Sequence, residues 1–246
     1  MKLSRTILIT GGSAGIGAAC ARLAAGYGAD VILTYNSDRA GAEAAAQTVR
    51  DAGRDAQIIQ CDVSDPAQID ALFAAIPADL PIDLINNAGI VAPTASVTDM
   101  SAERLTQIFS INVIGAFLVA KQAILHMRRV GEPGNIVNLS SAAARLGSAN
   151  QFVDYAATKG AIDTFTKGLS EEVAPEGIRV NAVRPGLIDT EIHAKGGEPD
   201  RAERLAHMVP MKRTGTAEEV AEAILWLLSD KASYVTGAFL DVSAGR

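Results

Sequence analysis

The 246 residues, 48% hydrophobic and 20% charged, fit one large α/β domain with a sizeable core rather than two small ones. A formal net charge of -6, with Lys and Arg scattered, leaves no basic footprint for a nucleic-acid backbone. Cys20 and Cys61 read as buried thiols, no leader-like segment follows Met1, and the longest apolar stretch, 111–120, is interrupted by Asn112 and Gly115. A cytoplasmic protein without nucleic-acid or membrane partners is expected.

Short β-branched runs at 6–10, 31–35, 57–61, 84–86, 135–139, 179–183 and 239–242 alternate with longer segments of helical period. Such alternation predicts right-handed crossovers and a Rossmann-type, doubly wound parallel sheet of about seven strands. Helices cover both faces, and ligands bind beyond the carboxyl ends of the strands. The whole chain, 1–246, reads as one domain. A polar excursion at about 189–211 reads as a lid over its site.

The first run ends in Thr10-Gly11-Gly12-Ser13-Ala14-Gly15-Ile16-Gly17, and a helical stripe follows. Glycines there let the chain bend and let a pyrophosphate reach the free amides at a helix start, so the turn points to a dinucleotide. The second run ends in Thr34-Tyr35-Asn36-Ser37, without the acid that would hold a ribose 2′-hydroxyl. With Asn36, Ser37 and Arg39 as donors, NADP(H) is favoured. Asp38 works against a 2′-phosphate, and NAD(H) stays as the alternative.

Further along come Asp62-Val63, Asn86-Asn87-Ala88-Gly89, Asn112, Tyr155-Ala156-Ala157-Thr158-Lys159 and Pro185-Gly186. Together with the glycine pattern, their order and spacing resemble the short-chain dehydrogenase/reductase family across nearly the whole chain. The resemblance implies an enzyme that moves hydride between a nicotinamide and a carbonyl or alcohol. It assigns the glycine loop (Gly11, Ser13, Gly15, Ile16, Gly17) to the cofactor and Asp62 with Val63 to its adenine. Asn87, Ala88 and Gly89 line its path, and Pro185, Gly186, Ile188 and Thr190 meet the nicotinamide end.

The same resemblance makes Tyr155 the general acid/base, Lys159 its cationic partner and ribose anchor, and Asn112 the holder of a water beside the lysine. Tyr155 and Lys159 stand four apart in a helical segment, so they share a face. A positive charge about 6 Å from a phenol, at an effective dielectric near 20, contributes about 3 kcal/mol, or about two pKa units, towards phenolate. The partner serine follows the fifth strand. Ser141 is preferred, with Ser140 as the alternative, because one extra residue near 152–154 lengthens the family's usual interval to the tyrosine.

His126, His193 and His207 lack metal-ligand spacing and read as solvent-exposed, so no metal is expected. Apolar helices around 111–120 and 156–169 suggest a homotetramer, with a dimer as the alternative. The expected substrate is a small-molecule carbonyl or alcohol, with a sugar, a steroid, a β-ketoacyl thioester and a small ketone all left open. A catalytically silent NAD(P)-sensing protein is the rival reading, opposed by the intact serine, tyrosine, lysine and asparagine.

Overall fold

The computed structural model describes residues 1–191, 197–198 and 200–246. Seven parallel strands form one sheet in the order β3-β2-β1-β4-β5-β6-β7. They are β1 (Thr6–Ile9), β2 (Val31–Tyr35), β3 (Ala56–Gln60), β4 (Ile82–Asn86), β5 (Asn135–Leu139), β6 (Arg179–Pro185) and β7 (Phe239–Val242). β1, β2, β4 and β5 are buried along their whole length, as strands covered on both faces must be.

The pleat sends alternate residues to opposite layers. Ile7 and Ile9 join a core with α1 (Gly15–Gly26), α2 (Arg39–Asp51) and the helix Ala217–Leu228. Leu8 faces the other core, built with α3 (Pro66–Ala75), α5 (Ala116–Val130) and the end of α7 (Val153–Val173). Both cysteines are buried and unpaired.

Two strands run longer than their hydrophobic runs suggest. β4 starts at Ile82 because Asp83 is buried with hydrogen-bond partners, and β6 reaches Pro185 beside Val242 of the edge strand β7. α4 (Ala102–Phe109), a π-turn (Ser110–Gly115) and α5 form one continuous helix of 29 residues. Its length and composition would suffice to cross a membrane, contrary to the expectation from 111–120 alone. Its Ile108, Val119, Ala120, Ala123 and Met127 are core residues.

His126 is 3% exposed, a correction to its expected solvent position. Its Nε2 lies 2.7 Å from the Leu80 carbonyl and its Nδ1 2.8 Å from Arg129 Nη2, which satisfies both ring nitrogens and allows burial. His207 is exposed as expected, and His193 lies outside the described residues. So does part of the expected lid, residues 192–196 and 199; its described remainder includes a short helix, α8 (Arg201–Leu205).

Candidate active site

The strand order reverses between β1 and β4, and at their carboxyl ends a cleft of about 540 Å³ opens. Gly11 (φ 65°) and Gly15 (φ 53°) adopt the left-handed conformation that side chains disfavour. A Cβ on Gly11 would sit 3.0 Å from Ala88 Cα, and one on Gly17 only 2.4 Å from the Gly11 carbonyl. Thr10 Oγ1 accepts from the Asn87 and Ala88 amides at 3.0 Å, while Asn87 Nδ2 donates to the Thr10 and Gly11 carbonyls at 2.9 Å. These bonds lock the turn after β4 to the glycine turn. No side chain caps α1 at Ala14, and its first turn carries no acid, so its leading amides face the cleft and fit a pyrophosphate.

Of the expected cofactor contacts, Gly11, Ser13, Gly15, Ile16, Asn36, Ser37, Asp62, Val63, Asn87, Ala88, Gly89, Pro185, Gly186, Ile188 and Thr190 line this cleft. Asp62 uses one oxygen to accept from the Ser64 amide and hydroxyl, and Asp65 caps α3 instead. Gly17 does not line the cleft; its missing Cβ lets α1 approach the strand end. Arg39 also stays outside, exposed at the start of α2, whereas Asp38 lines the cleft and accepts from the Gly41 amide.

At the other end, Ser141, Tyr155 and Lys159 meet. Lys159 Nζ donates to the Leu139 carbonyl at 2.6 Å and lies 5.5 Å from the centre of the Tyr155 ring. Burial pushes the Lys159 ammonium down to about 8, against the negative charge of Asp163. Burial also pushes the Tyr155 phenol above its ordinary value, opposed by a hydrogen bond from Ser141. Desolvation acts on both groups, and on the phenol it outweighs the lowering that Ser141 supplies. Ser140 turns away, donating to Asp163 at 2.6 Å, so of the two serines only Ser141 faces the phenol.

Asn112 is 2% exposed in the π-turn and does not line the cleft. Its amide oxygen accepts from the Ile90 amide at 2.8 Å and its Nδ2 donates to the Ile90 carbonyl at 2.9 Å. Nδ2 also donates to Thr158 Oγ1 of α7 at 3.2 Å, so Asn112 clamps the segment after β4 beside Gly89 to the helix of Tyr155 and Lys159. The irregular stretch before Tyr155 is 147–151, with Ser148 and Asn150 left-handed; Val153 and Asp154 already belong to the helix, earlier than the expected site of the extra residue.

A family model described as enoyl-(acyl carrier protein) reductase matches residues 11–246. An uncharacterised oxidoreductase of Escherichia coli, YgfF, is 51% identical over 97% of this chain and 98% of its own. The 3β-hydroxysteroid dehydrogenase 1 of Eggerthella lenta is 40% identical over 98% and 93%. The structure of a 3-ketoacyl-(acyl-carrier-protein) reductase from Brucella melitensis complexed with NADH superposes with a TM-score of 0.90 at 33% identity, covering 99% of this chain and 98% of that one.

The chain belongs to the short-chain dehydrogenase/reductase family. Short-chain dehydrogenases are NAD(P)-dependent oxidoreductases, and this one transfers hydride between a nicotinamide cofactor and a carbonyl or alcohol substrate.

Two features of this short-chain dehydrogenase escape sequence reasoning. Arg201 of α8 lines the cleft, its guanidinium 4.9 Å from the Phe152 ring and its Nη2 donating to Gln151 at 2.7 Å. Asp163 sits behind Lys159, joined to Ser140 and Arg184. The i,i+4 spacing of Lys159 and Asp163 was the available signal for the second; nothing in the sequence pattern marks Arg201.

Proposed function

We propose that this short-chain dehydrogenase uses NADP(H), with Tyr155 as general acid/base, Ser141 as substrate-oxygen donor and Lys159 as the cation behind the phenol. The meeting of these three side chains in one cleft carries the reading. Bound nicotinamide supplies or takes up the hydride. Ser141 donates a hydrogen bond to the carbonyl oxygen as charge develops on it, and Tyr155 passes its proton to that oxygen. A phenol pushed upward by burial keeps its proton in the resting site and is poised as the acid for reduction. Gly11, Ser13, Gly15 and Ile16 hold the pyrophosphate, Asp62 and Val63 the adenine, and Pro185, Gly186, Ile188 and Thr190 the nicotinamide amide. Gly17 and Asn112 shape this cradle from behind.

The preference for NADP(H) rests on the end of β2, where Asn36 and Ser37 line the cleft and no carboxylate ends the strand. Asp38, the nearest acid, is engaged as the cap of α2. The segment 189–211 acts as the substrate lid, with Arg201 facing the cleft. Ile114 (53% exposed), Phe117 (43%) and Leu125 (45%) leave an apolar face beside the Phe117–Phe165 stack, which supports a homotetramer. Two buried free thiols suit the cytoplasm.

The test is binding of NADPH and NADH, then turnover of a carbonyl panel by wild type and Tyr155→Phe. The expected result is tighter NADPH binding and a turnover loss of about 10²- to 10⁴-fold in the variant, with cofactor affinity retained. Full turnover by Tyr155→Phe would overturn the acid/base assignment, and tighter NADH binding the cofactor preference.

A further inference from the structure

Directly behind the reacting pair lies a largely covered charge that the proposed chemistry does not use. Asp163 stands one helical turn past Lys159 on α7, and both it and Arg184 are only 15% exposed. Arg184, from the end of β6, grips one carboxylate oxygen with two donors, Nε at 3.0 Å and Nη2 at 2.8 Å. Ser140, from the end of β5, donates to the other oxygen at 2.6 Å, and its hydroxyl lies 3.3 Å from the Lys159 carbonyl. Both carboxylate oxygens are therefore fixed, by residues adjoining Ser141 on one side and Pro185 on the other.

We propose that Asp163 is a positioning residue: it ties the ends of β5 and β6 to the helix carrying Tyr155 and Lys159, and its charge holds the Lys159 ammonium protonated during turnover. The inference rests on the reading of Tyr155 and Lys159 as the reacting pair. Lys159 needs such support because its own contacts are neutral. From β5 it meets the Leu139 carbonyl, and beyond Gly89 lies the amide of Asn112. Tyr155 is the other titratable group against it on α7. From β6, Arg184 opposes Asp163, and Asp241 of β7, 3.9 Å from Arg184 Nη1, partly offsets that arginine. Arg184 also stacks over Phe239 at 4.3 Å, which keeps its fork aimed at Asp163.

The two members of the ion pair should move Lys159 in opposite directions. Asp163→Asn preserves the shape and hydrogen-bonding of the carboxylate but removes its charge, so Lys159 should lose its proton at lower pH, by about one unit. Arg184→Met leaves Asp163 without its counter-charge and should raise that midpoint. The readout is the Lys159 side-chain NMR titration in cofactor-free protein, assigned by the signal lost in Lys159→Arg, together with the alkaline limb of kcat. Opposite shifts in both readouts support the proposal. A Lys159 midpoint unmoved in both variants leaves Asp163 a structural anchor and overturns it. If Asp163→Asn does not fold, Arg184→Met alone decides, an upward shift supporting the proposal and its absence overturning it. The NMR titration is independent of turnover, so a wild type inactive on every carbonyl would sink the proposed function without touching this measurement.

Discussion

At the amino end of the sheet, Asp83 is 3% exposed and accepts from both the Asn135 backbone amide (2.7 Å) and side-chain Nδ2 (2.8 Å). The positive charges of Arg5 and Arg179 act on the same carboxyl group. Arg179 also donates to the Leu227 and Ser229 carbonyls, closing the end of the helix Ala217–Leu228. At the carboxyl end, by contrast, glycines replace side chains, α1 starts without a side-chain cap, and Ser141 and Tyr155 line the cleft. At the amino end the buried Asp83 carboxylate is taken up by protein donors, whereas at the carboxyl end the uncapped start of α1 and the Ser141 and Tyr155 side chains border the cleft. Stability should therefore depend on the first end and activity on the second.

Asp83→Ala puts this contrast under the greatest stress. It strips two Asn135 donors of their acceptor and Arg179 of a counter-charge, and should cost about 3–5 kcal/mol in urea unfolding, with dinucleotide affinity of the folded fraction unchanged. A loss below about 1 kcal/mol would show that the amino end is not the anchor described.

The same carboxyl gives a pH test. Burial pushes Asp83 up to about 6, against its hydrogen bonds from Asn135 and the two arginines. The folded state thus binds this proton more readily than the unfolded chain. The stabilising contribution is full below about pH 4 and is lost as pH rises through about 6, an effect of about 3 kcal/mol. Asp83→Asn should flatten that window in a series of melts; an identical pH profile would refute the assignment.

Gly17→Ala tests the ligand end. Its Cβ would collide with the Gly11 carbonyl at 2.4 Å, costing about 1–3 kcal/mol and weakening dinucleotide binding about tenfold, as read by NADPH fluorescence. The smallest effect is expected at Arg39, which is exposed and makes no ion pair among the described residues. Arg39→Ala should leave stability within about 0.5 kcal/mol and lower NADPH affinity by no more than about fivefold, with NADH unaffected.

Much of this architecture can be read in the sequence because the sheet is buried on both faces. Runs such as Val31–Tyr35 and Asn135–Leu139 are continuous enough to give strands with their correct ends. Asp83 hides the start of β4, since a charged residue in a core strand is affordable only through partners far along the chain. His126 misleads for the same reason: the Leu80 carbonyl that buries it is 46 residues away. In the site, glycine spacing and the Tyr155–Lys159 interval locate the cleft, but they carry no information about desolvation. The upward push on Tyr155 is therefore visible only in three dimensions. Ser140 and Ser141 are likewise equal as letters, and only the path of α7 gives Ser140 to Asp163.

The π-turn at Ser110–Gly115 has a consequence beyond placing Asn112. One surplus residue shifts the phase of everything downstream by roughly 100°, like a screw whose thread slips once. The 29-residue helix is thus two rotational settings joined end to end, and the surplus residue brings Leu105 and Phe117 to within roughly 20° of each other, where an unbroken α-helix would set them roughly 120° apart. Deleting one residue of the turn would heal the helix, and the restored regularity would swing Asn112 off Ile90 and release the chain that borders Gly89.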